Sequence, residues 1–266
     1  MKGRYLLLIW GAILWLVVLA AVCAPLLPAD PVRTNPPDQF LAPGVRYWLG
    51  SDQFGRDVLS RTLWGARASL TAAALAAAIA LGLGVLGGSL AGTFGGTLDW
   101  ALMRLVDVLL AFPGLLLALL LVALLGTGQW QAALAVGLSL APPCSRMVRA
   151  AILTERVRPY VEAARVAGAS WWRIAWRHML PNVAGQLIVF ASVIYAWSLL
   201  NMATLDFLGV TGSPSWPTWG RMLAEGRAYL REAPWIAFAP GILLTLSVMA
   251  VMGLGDAWRH ALPSGR

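Results

Sequence analysis

The sequence has few of the residues that build metal centres and covalent cross-links. Its two cysteines, Cys23 and Cys144, lie in apolar segments without the spacing of a disulfide framework or a metal site. Its two histidines, His178 and His260, are too few for a dense imidazole site. We therefore expect no metal site in this chain, and we interpret both cysteines as small packing residues.

Charged side chains are also scarce, at 12% of the chain, whereas 59% of the residues are hydrophobic. A soluble domain has about twice that charged share, and one globular core cannot hide so much apolar surface. The net charge of +8 does not indicate nucleic-acid binding, because the Arg residues form no contiguous stripe and the fourteen Trp residues suit membrane interfaces. The composition predicts an integral membrane protein.

Six apolar segments are long enough to cross a bilayer, whose hydrocarbon core of ~30 Å needs about 20 helical residues. The uncharged stretch 108–145 is too long for one crossing, and Gly126-Thr127-Gly128-Gln129 is the obvious turn near its middle. The second segment is rich in Ala and Gly, which predicts close packing against a neighbouring helix. We predict an all-α polytopic protein with six transmembrane helices at about 5–24, 69–91, 101–125, 130–148, 183–205 and 233–255.

An even number of crossings places both termini on the same side of the membrane. With the N-terminus inside, twelve of the 20 Lys and Arg residues are cytoplasmic and eight are outside, which is the bias that cytoplasmic loops show. We therefore predict cytoplasmic termini, and we interpret the first segment as an uncleaved anchor because its apolar run is longer than the core of a secretory signal. The predicted parts are an N-terminal helix over 1–24, an extracytoplasmic loop over 25–67, a five-helix core over 68–258 that contains a cytoplasmic loop over 150–182, and a short cytoplasmic tail over 259–266.

The cytoplasmic loop has the pattern of two short helices that are separated by a glycine and stopped by a proline. Ala163, Ala164 and Ala167 at helical spacing predict a smooth face onto which another protein can close, and the Arg residues suit an acidic groove or lipid headgroups. An amphipathic interfacial helix with its three Trp residues in the headgroups fits the same pattern. The spacing alone leaves the docking and membrane-surface interpretations open.

The same loop carries a recognisable motif. Glu-Ala-Ala at 162–164, Gly168 and Leu-Pro at 180–181 resemble the coupling loop of importer-type ATP-binding-cassette permeases. His178 stands where an aliphatic residue is usual, which is similar to the form found in the peptide-importing branch. The resemblance implies that this loop docks an ATP-binding subunit. The implied coupling residues are Glu162, Ala163, Ala164 and Gly168 in the docking helix, Arg158, Arg165 and Arg173 around it, and Leu180 and Pro181 at its end.

The segment 49–67 resembles the outer-loop signature of dipeptide, oligopeptide and nickel permeases of that branch. Asp52 and Asp57 can pair here with Arg56 and Arg61, and the glycines allow tight turns. Contact with substrate is one interpretation of these charges. We favour a folded extracytoplasmic structure held by ion pairs, because crowded ion pairs more often fix a conformation. The signature residues are Gly50, Asp52, Gly55, Arg56 and Asp57.

Arg104 and Asp107 lie three residues apart at the entry to the third predicted helix and share one face of it. Charges inside a membrane usually mark function or pairing, and because these two are shallow we favour structural pairing. Asp206, just after the fifth predicted helix, either faces a translocation path or anchors the following loop. Similar stretches of the same family lie at 103–113, 219–227 and 255–259, whereas His260 and Pro263 replace acidic residues that are usual in its tail.

The resemblance implies the second of two related permease subunits of an ATP-driven importer in a bacterial inner membrane. The implied partners are a related permease, two cytoplasmic ATP-binding subunits, an extracytoplasmic solute-binding protein and membrane lipid. ATP and Mg²⁺ are expected on the ATP-binding subunits, so the chain itself is not expected to be an enzyme or to hold a cofactor. Dipeptides or oligopeptides are the expected solutes, and nickel or a metal chelate is the alternative.

A self-contained secondary transporter or channel is the alternative from another class of protein. Such a protein requires charges near the membrane midplane or paired broken helices, which the sequence does not show. A membrane-embedded enzyme is a weaker interpretation still. No predicted helix carries a His-Glu-x-x-His motif, a pair of Asp residues or a Ser-His pair.

Overall fold

The computed structural model describes residues 2–26, 30–212 and 216–261 and consists of helices joined by turns. Within these residues no β-strand occurs, and the all-α polytopic architecture predicted from the sequence is confirmed. Most of the predicted tail, including Pro263, lies outside the described residues. The helices are α1 (Lys2–Cys23), α2 (Val58–Phe94), α3 (Gly96–Leu110), α4 (Gly114–Leu125), α5 (Gln129–Arg156), α6 (Pro159–Val166), α7 (Trp171–Ile174), α8 (Leu180–Phe207), α9 (Trp219–Gly226) and α10 (Trp235–Ala261).

Six helical segments of the described chain run between two ends of one bundle. At the end that holds residues 30–57, which we call the loop end, the indole nitrogen of Trp235 donates to the carbonyl of Ser51 at 3.0 Å. At the opposite end, which we call the basic end, the guanidinium of Arg156 lies 3.4 Å from the carbonyl oxygen of Gly92. The six segments are α1, α2, the pair α3 and α4, α5, α8 and α10.

Four stretches of the described chain are long and apolar enough to cross a membrane, namely Tyr5–Leu26, Val58–Phe94, Trp171–Phe207 and Trp235–His260. The bent pair α3 and α4 supplies a fifth if it counts as one span. The remaining segment, α5, has 28 residues and joins the two ends, but its two prolines and three arginines lower its mean hydropathy. Six crossings therefore stay a prediction, with five supported by length and composition.

The third predicted helix is not the continuous rod expected over 101–125. α3 and α4 meet at an angle of 92°. Pro113 stands directly before α4 with ψ 127°, outside the helical region. Proline lacks a backbone N–H and disfavours the α conformation in the residue before it. The prediction of one straight helix is wrong, because α3 ends at Leu110 and Pro113 breaks the helix well before Gly126.

The second predicted helix begins much earlier than position 69, so residues 58–67 of the predicted extracytoplasmic loop are helical. The Asp57 side chain accepts hydrogen bonds from the backbone N–H groups of Leu59 at 3.4 Å and Ser60 at 2.9 Å. An aspartate at this position satisfies donors that the first turn of a helix leaves without partners. The helix therefore starts at Val58, inside the segment assigned to the loop.

Close packing of α2 against α5 forms the centre of the bundle and confirms the prediction made from its small residues. A Cβ atom added to Gly84 would lie 2.4 Å from Cys144 Sγ, and one added to Gly88 would lie 2.4 Å from the Ser145 carbonyl oxygen. The two glycines are one helical turn apart, so they open a groove on one face of α2. Cys144 is fully buried in this contact, as expected of a packing residue.

Candidate functional site

The helix α6 at the basic end holds the motif residues of the predicted coupling loop. Pro159 occupies the first turn of the helix, where the backbone N–H has no acceptor within the helix, so the missing N–H of proline costs no hydrogen bond. Glu162 lies in the first turn and Arg165 in the last, so both charges complement the helix dipole. Arg158 immediately precedes the helix in an extended conformation. These features explain why so short a segment is helical.

Gly168 ends α6 through its backbone conformation. Its φ is +81°, and a Cβ atom built on it would meet nothing within 4 Å. The N–H of Gly168 bonds to the Arg165 carbonyl at 2.9 Å, and that of Ala169 bonds to the Ala164 carbonyl at 3.0 Å. This pair of bonds is a Schellman motif, which requires a left-handed residue at its turn. Glycine is therefore needed here for its φ and not for space.

The exposed face of α6 differs by one residue from the predicted face. Glu162, Ala163 and Ala167 are exposed, and Val166 next to them is 86% exposed. Ala164 instead packs half-buried against the core of the bundle. The prediction that Ala164 shares a smooth outer face with Ala163 and Ala167 is therefore wrong, because this side of the short helix packs against the buried core cluster.

The three Trp residues of the loop separate into two groups. Trp172 and Trp176 are 53% and 48% exposed, and their ring centroids lie 5.7 Å apart. Trp171 is turned toward α6, with the guanidinium carbons of Arg156 and Arg165 at 4.9 Å and 4.6 Å from its ring centroid. The membrane-surface interpretation, which grouped all three Trp residues, therefore fits Trp172 and Trp176 alone.

A cleft of about 690 Å³ opens between α6 and the end of α5. The side chains that matter for its electrostatics are three arginines and one glutamate. The remaining lining is apolar and includes Val157, which is 82% exposed. The lining residues are Leu153, Arg156, Val157, Arg158, Val161, Glu162, Arg165, Val166 and Trp171.

Tyr160 ties the two ends of the loop together. Its hydroxyl donates to Glu155 Oε1 at 2.9 Å, near the end of α5, and it also hydrogen-bonds the side chain of Asn182 in the first turn of α8. Burial raises the pKa of the Tyr160 phenol above its usual value of about 10, and the bond to Glu155 acts in the same direction. The hydroxyl therefore stays protonated and keeps donating at neutral pH.

The loop ends in a continuous helical path and not at a proline stop. Residues Ala175–Met179 form a π-helical turn between α7 and α8, in which the Leu180 N–H bonds to the Ala175 carbonyl. A wide turn accommodates Pro181, which offers no N–H to the preceding turn. Leu180 packs half-buried against the core, and Pro181 is exposed. The predicted stop at Pro181 is wrong because the π turn absorbs it, and Arg173 lies exposed on the resulting rod.

At the loop end, the predicted signature forms a closed ring of two arginines and two acids. Asp52 Oδ2 lies 2.6 Å from Arg56 Nε and 3.3 Å from Arg61 Nε. Glu225 Oε2 lies 3.1 Å from Arg56 Nη2 and 2.8 Å from Arg61 Nη2. The side chains of Arg61 and Asp52 are each 1% exposed. Each charge of the ring therefore has two partners of opposite sign within it, and Glu225 also pairs with Arg221 at 3.1 Å.

The remaining signature residues shape the backbone around this ring. Gly50 has φ +75° and packs against the Trp235 ring, and Gly55 has φ +69° with the Asn35 carbonyl oxygen 1.8 Å from the position of a Cβ atom. Asp57 forms no ion pair among the described residues and instead begins α2, so its predicted pairing with an arginine is wrong. Burial raises the pKa of the Asp57 carboxyl, although its two backbone hydrogen bonds oppose the shift.

The membrane-entry charges join α3 to α5. Asp107 pairs with Arg146, and Asp99 pairs with Arg149 at 2.5 Å. Arg104 is exposed, and no partner of its guanidinium occurs among the residues that the structure describes. Structural pairing of Asp107 is thus what the geometry shows, with a partner on another helix and not with Arg104.

Asp206 anchors the loop that follows α8. It is 3% exposed, and it accepts hydrogen bonds from the hydroxyls of Thr211 and Thr218. These contacts favour the anchoring interpretation of Asp206 over contact with a translocation path.

Sequence reasoning did not predict three residues that the structure places in these two sites. Glu225 completes the ring at the loop end, in which Arg61 was already expected to pair, and Arg156 and Tyr160 complete the basic end. The resemblance at 219–227 was the available signal for Glu225, since it marks a second charged stretch on the same side of the predicted membrane.

Comparisons with known proteins give the context of these two sites. Residues 84–262 match the family model described as binding-protein-dependent transport system inner membrane component. The dipeptide transport system permease protein DppC of Escherichia coli is 44% identical over 269 residues, which cover 98% of this chain and 88% of that protein. A putative peptide transport system permease protein of Brucella suis is 40% identical over 251 residues, which cover 94% of this chain and 84% of that protein. The di/tripeptide transport system permease protein DppC of Pseudomonas aeruginosa is 39% identical over 254 residues, which cover 93% of this chain and 84% of that protein.

The matched region contains both the coupling motif on α6 and the charged stretch around Glu225. The relatives are similar over almost the whole length of both chains, so the resemblance inferred from short motifs extends through the outer-signature loop as well. The chain belongs to the family of inner membrane components of binding-protein-dependent transport systems, as a permease of the peptide group.

Proposed function

We propose that this chain is one of two related permease subunits that form the translocation path of an ATP-driven importer for dipeptides or oligopeptides. The observation that carries the proposal is the exposed helix α6, with Glu162 and Ala163 on its outer face, in a chain whose reported relatives are named as peptide permeases. Nickel is the weaker alternative, because none of the relatives reported above is named for it.

The basic end of the bundle is proposed to face the cytoplasm. Seven arginines lie between Arg146 and Arg177 at this end, as cytoplasmic loops require. Two ATP-binding subunits then dock from the cytoplasmic side, one of them on α6. They bind ATP and Mg²⁺ and carry out the hydrolysis. The solute-binding protein delivers its cargo at the loop end. Both termini are cytoplasmic in this arrangement.

The docking face consists of Glu162, Ala163, Val166 and Ala167. Small side chains let a partner groove approach closely, and Glu162 offers one charge that fixes orientation. Gly168 ends the helix so that it projects from the bundle, while Arg158 and Arg173 lie exposed beside it. Ala164 and Leu180 have a supporting role, because both pack half-buried against the core, and Pro181 lies exposed next to Leu180 in the first turn of α8.

Movement of α6 reaches the membrane helices through short connections. Tyr160 bonds to Glu155 at the end of α5 and to Asn182 in α8, so a displacement of α6 pulls on two helices together. Closure of the ATP-binding subunits shifts the population of the permease pair between states open to either side of the membrane. The loop acts as the mechanical link, and the chain carries out no covalent chemistry.

Copurification tests this proposal directly. The chain is co-expressed with candidate ATP-binding subunits, and the amount retained is compared for the native chain, Glu162→Lys and the control Glu232→Lys, whose side chain is exposed at the loop end. Retention by the native chain and the control, together with loss in Glu162→Lys, supports α6 as the docking helix. If the native chain retains no ATP-binding subunit, a self-contained transporter becomes the better interpretation.

A second pair of variants separates docking from correct folding of the loop. Gly168→Asn keeps a residue that tolerates positive φ, whereas Gly168→Val does not. We expect Gly168→Asn to retain the ATP-binding subunit and Gly168→Val to lose it, with both variants still present in the membrane. Uptake of labelled dipeptide, measured with and without excess Ni²⁺ in vesicles that hold the complete assembly, identifies the solute.

A further inference from the structure

The cleft between α6 and the end of α5 carries an excess of positive charge. Arg156, Arg158 and Arg165 line it, and Glu162 is the one acidic side chain in its described lining. Glu155 reaches Arg158 only at 3.9 Å and already accepts a hydrogen bond from Tyr160. The volume of about 690 Å³ is large enough for several side chains of another protein. A carboxylate is the group that such a cleft attracts.

Trp171 holds two of these arginines in place. The guanidinium carbon of Arg156 lies 4.9 Å from the ring centroid and that of Arg165 lies 4.6 Å from it. Stacking on an indole leaves the N–H groups at the edge of each guanidinium free to donate, and it restricts a side chain that otherwise has many rotamers. The cleft is therefore arranged before any partner arrives, which lowers the entropy lost on binding.

Arg156 also connects the cleft to α2. Its Nη1 lies 3.4 Å from the Gly92 carbonyl oxygen in the last turn of that helix, where exposed carbonyl groups favour a cation. A Cβ atom on Gly95, the residue that follows α2, would lie 3.0 Å from the same nitrogen. A group bound to Arg156 therefore acts on the junction of α2 and α3 as well as on α6.

The position of the cleft favours a protein over a lipid as its occupant. Trp172 and Trp176 are the pair suited to lipid headgroups. They leave the helix in a different direction from Trp171, which contacts the cleft arginines, since successive helical residues are ~100° apart. Val157 and Val166 are 82% and 86% exposed beside the arginines. An acidic side chain with apolar neighbours matches this combination of charge and exposed valine.

We infer that the cleft receives an aspartate or glutamate side chain of the ATP-binding subunit, which bonds to Arg156 and Arg165 while α6 docks in the same subunit. The inference rests on the proposed function and adds a second contact of opposite sign to that of Glu162. In the first contact Glu162 of this chain binds the partner. In the second, a carboxylate of the partner binds Arg156 and Arg165 of this chain. Such a two-way exchange fixes the register of docking.

The test uses the complete assembly, co-expressed and purified with its own ATP-binding subunits. Arg165→Glu reverses the charge in the cleft, Arg165→Lys retains it, and Arg177→Glu reverses an exposed arginine of the same loop that does not line the cleft. Retention of the ATP-binding subunit is titrated at increasing NaCl in nanodiscs of neutral phosphatidylcholine. Acidic residues of the ATP-binding subunit are then changed to Arg, one at a time, in the Arg165→Glu background.

We expect Arg165→Glu to weaken retention about tenfold, Arg165→Lys to weaken it less, and Arg177→Glu to leave it near native. One acidic-to-Arg change in the partner should restore binding to Arg165→Glu. Equal loss in Arg165→Glu and Arg177→Glu, or an effect that appears only with anionic phosphatidylglycerol, would overturn the inference in favour of general charge or of lipid. In both cases the native chain still binds its partner, so the proposed function stands. Failure of the native chain to bind at all refutes both.

Discussion

The guanidinium of Arg61 lies 2.8 Å from the carboxylate of Glu225, although the two residues are 164 positions apart in the chain. The bond joins the start of α2 to α9 and closes the ring that Asp52 and Arg56 complete. The Arg61 side chain has almost no access to water at 1% exposure, and the Glu225 side chain is 17% exposed and also pairs with Arg221. The ring therefore holds the loop end together.

Replacing Glu225 with Gln should destabilise the chain by about 3 kcal/mol, because two buried arginines, Arg56 and Arg61, then share Asp52 as the one acid of the ring and remain desolvated. The thermal unfolding midpoint of the purified chain in detergent measures the effect. Glu232→Gln removes an exposed acid from the same segment and should leave the midpoint unchanged. Equal midpoints for the two variants would show that the ring contributes no stability.

Gly55→Ala should open the outer-signature loop. Its φ of +69° is unfavourable for alanine, and the new Cβ atom would lie 1.8 Å from the Asn35 carbonyl oxygen, so the cost exceeds the ~1 kcal/mol of the φ alone. Gly44→Ala is the control, since its nearest neighbour lies at 3.8 Å. Trypsin cleavage at exposed Arg46 should become faster in Gly55→Ala only. Equal cleavage rates would contradict the role assigned to Gly55.

Asp57→Asn should be at least as stable as the native chain at pH 7, whereas Asp57→Ala should lose about 1 kcal/mol with the helix cap. The folded pKa is raised above 3.8, so the stability that follows from this shift is present below pH 3.8 and lost as the pH rises through the folded pKa. Asparagine avoids that loss because it has no charge to bury.

Unfolding midpoints at pH 7 and near pH 4 check this prediction. The difference between Asp57→Asn and the native chain should narrow at the lower pH, where more of the native carboxyl is protonated. If asparagine is as damaging as alanine at both values, the carboxylate has a charged partner that the cap does not explain.

Gly88→Ala should separate α2 from α5. The added Cβ atom would lie 2.4 Å from the Ser145 carbonyl oxygen and 2.8 Å from Val148 Cβ, and overpacking of this kind costs about 1–3 kcal/mol. Gly82→Ala on the same helix meets nothing within 4 Å and should leave the unfolding midpoint close to native. A similar loss in both variants would mean that helix flexibility, and not the contact with α5, requires glycine.

The sequence predicted the helical class, the position of most membrane segments and the helix that carries Glu162, because these depend on local composition and spacing. It did not predict that Ala164 faces inward, since three alanines at 163, 164 and 167 look equivalent until the neighbouring helices are known. It missed the start of α2, although Asp57 before an apolar run is a recognisable capping signal.

Contacts between distant segments were the least predictable part. Nothing local shows that Glu225 meets Arg61, or that Arg149 meets Asp99. Each pair becomes visible only when the helices are placed side by side. The family resemblance marked the stretches involved but gave no pairing between them.

The bend of 92° between α3 and α4 has a consequence for the order in which the membrane segments assemble. α3 has 15 residues and α4 has 12, so at about 1.5 Å per residue neither spans the hydrocarbon core alone. Asp99 and Asp107 on α3 find their partners on α5, which leaves the ribosome later. We therefore expect Asp99 and Asp107 to remain unpaired until α5 has been synthesised, so that the packing of α3 against α5 forms late in assembly.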